Sequence, residues 1–251
     1  MDAEERIAEL TADALDREGP IVFLTGAGIS AESGLGTFRD ASGIWTQYDL
    51  SEVATPEGFA RDPAKVRAFY NARRQNLATA APNAAHTALA RLQAGLEAKG
   101  GRLFLCTQNV DDLHEQGGCA DVVHMHGQLR VTRCHACEKT WPDAGPLSGE
   151  TACAWCDETG TARPHVVWFG EVPLFLHGIE DALEEADLFV AIGTSGSVYP
   201  AAGFVAQAWR LGIRTCEINL QPSDNARAFD ERRYGPATEV VPAWVDEVLG
   251  G

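Results

Sequence analysis

Short apolar runs recur along this chain, and patterns typical of helices lie between them. The apolar runs cover residues 20–25, 102–109, 121–127, 188–195, 213–219 and 238–241. Continuous runs of Val, Ile, Leu and Phe of this length are typical of parallel strands that are covered on both faces. The helical patterns cover residues 3–17, 63–79, 83–98, 176–186, 200–210 and 242–249. This alternation predicts an α/β fold with a doubly wound parallel sheet, and it makes Pro242 the first residue of the last helix.

Residues 130–165 interrupt this alternation, because they are rich in Cys, Gly, Pro and Thr and poor in apolar runs. They contain Cys134-x-x-Cys137 and, fifteen residues later, Cys153-x-x-Cys156. Two pairs with this spacing can place four thiolates around a Zn²⁺ ion. A site with four protein ligands has no position for water, so the predicted zinc is structural. A redox pair or chance spacing is the alternative interpretation.

This interruption predicts two domains. The larger would consist of residues 1–129 and 166–251, with a helical insertion at about residues 50–80. The smaller would be a zinc-ribbon module of residues 130–165, which cannot bury enough apolar surface to fold without another stabilising element. The chain has seven cysteines, an odd number, and we see no secretion signal, so a disulfide framework is not expected.

Charge and hydropathy limit the partners that we expect. The chain has 20 Lys and Arg against 36 Asp and Glu, a net charge of −16, which argues against binding to a phosphate backbone. No apolar run approaches the ~20 residues that span a bilayer. The acidic, amphipathic N-terminus does not resemble a signal or transit peptide. We therefore expect a cytoplasmic protein that binds neither nucleic acid nor a membrane.

Small polar residues follow several of the predicted strands. Because the carboxyl ends of parallel strands form the ligand edge of an open α/β sheet, these residues should lie close together. The residues after the strands are Gly26, Ala27, Gly28, Gln108, Asn109, Asp111, Gly193, Thr194, Ser195 and Asn219. Glycines there let backbone N–H groups approach a pyrophosphate. No acidic residue ends a second strand about 20 residues later, so this is not the ordinary dehydrogenase pattern. Simple turns, and helix capping by Asn109 or Asp111, are the alternatives.

Two histidines, His124 and His126, lie in the predicted strand at 121–127. Alternate residues of a strand point to opposite faces, so only one of them can face the ligand edge. A histidine there would suit a general base, because its pKa lies near neutral pH. We expect the other to be structural.

One face of the helix at 63–79 is apolar except for an arginine. Val66, Phe69, Tyr70, Arg73 and Leu77 share this face. A partly buried guanidinium needs an opposite charge. An internal Asp or Glu could supply it, or Tyr70 and Arg73 could bind a substrate carboxylate.

These clusters occur together in one family. The segments GAGISAESGLGTFR, TQNVDDLH, HMHG, VVWFGE, GTSGSVYPA and INLQ, with the two C-x-x-C pairs, cover about residues 26–221. In these segments the chain resembles the sirtuins, the NAD-dependent protein-lysine deacylases. The resemblance implies a Rossmann-like NAD domain, a small zinc domain and an active site between them. The pair Tyr70 and Arg73 resembles that of the class III branch, which removes succinyl, malonyl or glutaryl groups as well as acetyl. Gly36 stands where many members have proline.

The resemblance also implies roles for individual residues. The catalytic residues would be His126 and Asn109. Contacts to NAD would come from Gly26, Ala27, Gly28, Glu32, Phe38, Arg39, Trp45, Gln108, Asn109, Val110, Asp111, His126, Gly193, Thr194, Ser195, Asn219, Leu220, Gln221 and Ala237. The acylated peptide would contact Tyr70, Arg73, Val167, Phe169, Gly170, Glu171 and Val198. The structural zinc would be bound by Cys134, Cys137, Cys153 and Cys156.

The implied reaction consumes NAD as a co-substrate. The acyl-lysine carbonyl oxygen displaces nicotinamide from C1′ of the ribose, and His126 takes a proton from a ribose hydroxyl, which attacks the resulting imidate. The products are free lysine, nicotinamide and O-acyl-ADP-ribose, and we expect the enzyme to act as a monomer. The alternatives are a protein mono-ADP-ribosyltransferase with the same NAD site, a non-enzymatic zinc-ribbon scaffold and, last, a hydride-transferring oxidoreductase.

Overall fold

A six-stranded parallel sheet forms the centre of the computed structural model, which describes residues 19–37 and 49–250. The strand order is β3-β2-β1-β7-β8-β9. These strands are β1 (Ile21–Thr25), β2 (Leu103–Thr107), β3 (Val123–His124), β7 (Leu188–Ile192), β8 (Arg214–Asn219) and β9 (Glu231–Tyr234). The predicted parallel sheet is confirmed, whereas the helix expected at 3–17 lies outside the described residues.

Helices connect these strands. They are α1 (Leu50–Val53), α2 (Pro56–Arg61), α3 (Pro63–Thr79), α4 (Ala84–Ala98), α5 (Leu113–Gln116), α6 (Leu176–Glu184), α7 (Phe204–Arg210) and α8 (Ala237–Leu249). The prediction of a helix at 63–79 is confirmed residue for residue. The helix begins at Pro63 because Asp62 caps it and a proline is favoured in the first turn. The pattern at 200–210 begins as a 3₁₀ turn, Ala201–Gly203, before α7.

Both faces of the parallel sheet are buried. On one face Phe23 of β1 packs edge-on against Trp244 of α8, with ring centroids 5.9 Å apart, in a core shared with Leu89 of α4. On the other face Leu24 of β1 lies in a core with Phe204 of α7. Successive residues of β1 therefore enter different cores, as a doubly wound sheet requires.

A second, antiparallel sheet bears the cysteine pairs: Cys134 is the last residue of one strand, and the other three cysteines lie in the connections between strands. Its order is β5-β4-β6, with β4 at Gly127–Cys134, β5 at Thr140–Pro142 and β6 at Ala162–Val166. Helix α3 is attached to it through buried side chains. Arg67 donates to the Ala162 carbonyl at 3.0 Å, and Arg74 donates to the Leu129 carbonyl at 2.7 Å. Helix α3 is thus held against the cysteine-bearing sheet by guanidinium groups that satisfy backbone carbonyls.

The prediction of a strand at 238–241 is wrong, because these residues lie inside α8 and Pro242 is an interior helix residue. A run of four apolar residues fits a buried helix as well as a strand. Val241, Trp244, Val245 and Val248 are buried at positions i, i+3, i+4 and i+7.

Strand β9 was not predicted, because its sequence ERRY is highly charged and it lies at the edge of the sheet. None of the described helices is long and apolar enough to cross a membrane.

Candidate functional site

A cleft of about 750 Å³ lies at the carboxyl ends of β1, β2, β7 and β8. This volume is typical of ligand sites, and its position is the usual one in open α/β sheets. Most of the residues predicted for the site line this cleft. They are Gly26, Ala27, Gly28, Tyr70, Arg73, Gln108, Asn109, Val110, Asp111, His126, Val167, Phe169, Gly170, Glu171, Gly193, Thr194, Ser195, Val198, Asn219, Leu220 and Gln221.

Five residues predicted to contact NAD are not among the residues that line the cleft. Phe38, Arg39 and Trp45 lie outside the described residues. The Glu32 carboxylate accepts hydrogen bonds from the backbone N–H of Thr238 at 3.0 Å and from its hydroxyl at 2.7 Å. Ala237 is the first residue of α8. Glu32 therefore caps α8, and the NAD contacts of Glu32 and Ala237 stay predictions.

The glycines of the cleft allow two loops to pack main chain against main chain. The Gly28 N–H donates to the Gly193 carbonyl at 2.9 Å. A Cβ atom on Gly28 would lie only 2.6 Å from the Gly193 Cα, and Gly193 itself has a φ of +63°. Side chains at either position would separate the ends of β1 and β7. Backbone groups consequently line this part of the cleft, which fits a pyrophosphate.

Amide side chains connect the neighbouring loops. The Asn109 Nδ2 donates to the Gly26 carbonyl and to the Ser30 hydroxyl, both at 3.2 Å. The Asn219 Nδ2 donates to the Thr194 carbonyl at 2.7 Å. These bonds hold the loops after β1, β2, β7 and β8 in one arrangement, which prepares the cleft before a ligand binds.

Asp111 bonds to the backbone just before α5 and also lines the cleft. Its Oδ1 accepts from the Leu113 backbone N–H at 3.2 Å, at the start of α5. Burial raises the pKa of this carboxyl group. The N-cap residue of α5 is Asp112, so Asp111 makes a local turn before the helix, and the same carboxyl group lines the cleft.

The two histidines have different environments. The His126 Nδ1 lies 3.1 Å from the Gln108 carbonyl oxygen. Because a carbonyl can only accept, Nδ1 carries the proton and the lone pair remains on Nε2. Burial lowers the pKa of His126, although the bond to Gln108 partly opposes this shift. A neutral imidazole with its basic nitrogen available therefore lines the cleft.

His124 is bonded at both ring nitrogens. Its Nε2 lies 2.7 Å from a Glu115 carboxylate oxygen, and its Nδ1 lies 3.2 Å from the Asn109 carbonyl oxygen. The prediction of a strand through residue 127 is wrong, because β3 ends at His124 and His126 lies in the following turn. The turn, rather than strand alternation, gives the two rings their different positions.

Tyr70 and Arg73 lie together in the cleft wall. The Tyr70 side chain is 1% exposed, while Arg73 is half-buried. The Arg73 Cζ lies 5.8 Å from the centroid of the Tyr70 ring and 5.9 Å from that of Phe69. Burial lowers the pKa of Arg73, and Tyr70 and Asp111 oppose that shift. Arginine stays protonated at neutral pH, so a cation contributes to this wall.

Trp168 was missed by the sequence interpretation. Its indole Nε1 donates to the Tyr70 hydroxyl at 2.9 Å, and the residue lines the cleft. Its position between Val167 and Phe169, both predicted to contact the peptide, was the available signal. Ser30 was also missed, although its hydroxyl accepts from Asn109.

The four cysteines form a cluster in which all Sγ atoms lie within 4.8 Å of one another. Cys134 and Cys156 have their Sγ atoms 3.8 Å apart, and those of Cys137 and Cys153 are 3.6 Å apart. Tetrahedral zinc with Zn–S bonds of about 2.3 Å requires Sγ separations of about 3.8 Å. The donor set and its geometry fit a structural zinc ion, and the cluster leaves no position for a water ligand.

The comparisons with known proteins agree with this geometry. The family model described as Sir2 family matches residues 26–200. The chain belongs to the Sir2 family. It has the parallel-sheet fold of a sirtuin and a four-cysteine cluster that fits a structural zinc ion.

Similar Sir2 proteins match nearly the whole chain. An "NAD-dependent protein deacylase" of Caulobacter vibrioides is 72% identical over 229 residues, which are 91% of this chain and 96% of that protein. A Sir2 homologue solved with ADP-ribose has a TM-score of 0.87 and 36% identity, covering 99% of this chain and 96% of that one. A Sir2 protein bound to a myristoylated histone peptide has a TM-score of 0.72 and 30% identity, covering 98% and 97%.

Proposed function

We propose that this protein is an NAD-dependent protein-lysine deacylase that removes succinyl, malonyl and acetyl groups. The observation that carries the proposal is one cleft in which the available His126 Nε2 occurs together with Tyr70 and Arg73. A general base and an anion-binding pair in the same cavity suit the removal of an acidic acyl group. The deacylase name of the Caulobacter relative supports the same assignment.

The residues of the cleft suggest how NAD is held. Gln108, Asn109 and Asp111 would contact the nicotinamide riboside part, and the loops containing Gly193 and Asn219 would contact the adenosine part. When bound, NAD supplies an electrophilic ribose carbon and the hydroxyl group that receives the acyl group. The His126 Nε2 accepts a proton from that hydroxyl, while the Gln108 carbonyl keeps the ring in the required tautomer.

The peptide would add as a strand beside residues 167–171 and Val198. The Val167 N–H already donates to the His126 carbonyl, and the Phe169 N–H donates to the Ala54 carbonyl, both at 2.9 Å. The peptide must therefore bond to the remaining backbone groups of this segment. The exposed Phe169 side chain would border the entrance for the acylated lysine.

Mass spectrometry of succinyl- and acetyl-lysine peptides, with and without NAD, tests the proposed activity. We expect NAD-dependent loss of both acyl groups and formation of O-acyl-ADP-ribose. If labelled ADP-ribose stays on protein instead of appearing on a small molecule, the mono-ADP-ribosyltransferase alternative is correct. Cytoplasmic location and a monomeric state stay predictions.

Replacing Arg73 with methionine tests the acyl preference. We expect kcat/KM for the succinyl peptide to fall about 10- to 100-fold more than for the acetyl peptide, since only the succinyl group has a carboxylate for the guanidinium. Arg210→Met, on the exposed surface of α7, is the matched control. Equal losses for both substrates would contradict a role of Arg73 in acyl recognition.

The direction of the His126 pKa shift predicts how kcat/KM depends on pH. Burial lowers it from the ordinary value of 6.5, so the neutral, basic form persists as the pH falls to 6.5. The acid limb of the kcat/KM profile should have its midpoint below pH 6.5 for both substrates. A midpoint clearly above 6.5 would mean that another group, or a His126 with a raised pKa, limits the reaction.

A further inference from the structure

Trp168 is held rigidly at the wall of the cleft. It follows β6 and is 2% exposed. The Arg163 Cζ lies 3.7 Å from the indole ring centroid, and the Phe59 ring centroid lies at 5.4 Å. A Glu171 carboxylate oxygen accepts from the Trp168 backbone N–H at 2.9 Å and from the Arg163 guanidinium at 2.8 Å. Packing and charge together therefore restrict the indole to one orientation.

The bond between Trp168 and Tyr70 has a defined direction. An indole nitrogen can only donate, so the Tyr70 oxygen is the acceptor at 2.9 Å. The single proton of the phenol is not used in this bond. A phenolic O–H prefers the plane of its ring, with one orientation on each side of the oxygen. Acceptance from Trp168 on one side favours the proton on the other side.

A ligand that contacts both Tyr70 and Arg73 must accept hydrogen bonds. The guanidinium has no acceptor atom, and a Tyr70 proton directed away from Trp168 also donates. A carboxylate offers two acceptor oxygens and a negative charge, which matches a donor pair of this kind. An acetyl group has no such carboxylate, so the direction of the Tyr70 proton should matter little for it.

We propose that Trp168 is a positioning residue that turns the Tyr70 hydroxyl proton toward the carboxylate of an acidic acyl group. This inference rests on the proposed deacylase function and deepens it, because it assigns part of the acyl selectivity to a residue that acts through Tyr70. The indole N–H contributes to the acyl selectivity, whereas the rest of the ring only fills space in the wall of the cleft.

A double-mutant cycle tests this role with succinyl and acetyl peptides of one backbone. We expect Trp168→Phe to lower the ratio of kcat/KM, succinyl over acetyl, by about five- to tenfold, the effect of one polar hydrogen bond. The change should appear in KM of the succinyl peptide. In a Tyr70→Phe background, which has no hydroxyl to orient, Trp168→Phe should change the ratio no further.

Two further variants separate the effect of the indole N–H on the Tyr70 hydroxyl from the effect of packing around the ring. Phe59→Leu removes one aromatic contact to the indole but keeps its N–H, and Arg163 and Glu171 still hold the residue, so this variant should leave the ratio unchanged. Benzothienylalanine at position 168 keeps the fused-ring shape and removes the N–H, so it should reproduce the fall even if Trp168→Phe folds poorly.

The outcomes distinguish this inference from the function on which it rests. Wild-type protein that removes succinyl groups, with a ratio unaffected by benzothienylalanine, would overturn the role of Trp168 alone. Additive effects of Trp168→Phe and Tyr70→Phe would do the same. Wild-type protein that removes acetyl but not succinyl groups would overturn the acidic-acyl preference and this inference together.

Discussion

Replacing His126 with asparagine is expected to lower kcat/KM for both succinyl- and acetyl-lysine peptides by about 10²- to 10⁴-fold, the usual contribution of a general base. The asparagine amide can still donate to the Gln108 carbonyl that now accepts from His126 Nδ1. It offers no basic nitrogen in place of Nε2. The substitution therefore removes proton transfer while it keeps the local hydrogen bond.

Steady-state deacylation with both peptides measures this loss, and thermal unfolding checks that the variant folds. His177→Asn is the matched control, because the His177 side chain is fully exposed on α6. We expect the control to have wild-type kcat/KM. A loss of less than tenfold in His126→Asn would show that another group takes the proton.

Removal of zinc is expected to abolish deacylation and to unfold the cysteine-bearing sheet. Structural zinc contributes about 10–16 kcal/mol of apparent binding free energy in zinc-finger peptides, which is folding free energy for a small module. The only large apolar side chains of β4 and β6 are Leu129, Val131 and Val166, so the metal is the main stabilising element there.

Unfolding of the cysteine-bearing sheet should also disturb the cleft, because α3 connects the two. The Arg74 guanidinium donates to the Leu129 carbonyl and to the Thr132 hydroxyl, and Asn71 exchanges two hydrogen bonds with the Leu147 backbone. When these partners move away, buried polar groups of α3 lose their acceptors. Tyr70 and Arg73 lie on the same helix, so the acyl pocket should lose its geometry as well.

Metal analysis, near-UV circular dichroism and deacylation assays before and after chelation measure this effect. We expect one zinc per chain, and recovery of activity on addition of Zn²⁺ but not of Mg²⁺. Cys134→Ala should lose the metal, whereas Cys106→Ala, in the parallel sheet, should keep it. Full activity of metal-free protein would contradict a structural role for the site.

Local sequence patterns predicted much of this fold because the patterns are long or chemically restrictive. Helix α3 has a capping residue, a proline in its first turn and a long amphipathic face, so its ends were predictable. The central strands β1, β2 and β7 are nearly continuous apolar runs. The prediction of a strand at 238–241 failed because four apolar residues do not distinguish a strand from a buried helix face.

The candidate site was predictable in part. Topology places the carboxyl ends of parallel strands at one edge, so residues such as Asn109 and Asn219 could be expected to meet. The turn that separates His126 from His124 was not predictable from strand alternation. Arg67 and Arg74 were not recognised as attachments to the second sheet, because their backbone acceptors lie far away in sequence.

The sequence by itself determined the doubly wound sheet, the four zinc ligands and the residue types of the cleft, since these depend on local periodicity and on fixed spacing. Only the tertiary structure decided which atom of His126 carries a proton, that Glu32 caps α8, and that Trp168 donates to Tyr70. Each of these depends on a hydrogen bond between segments that are distant in sequence or joined by an irregular turn, and no local pattern encodes such a bond.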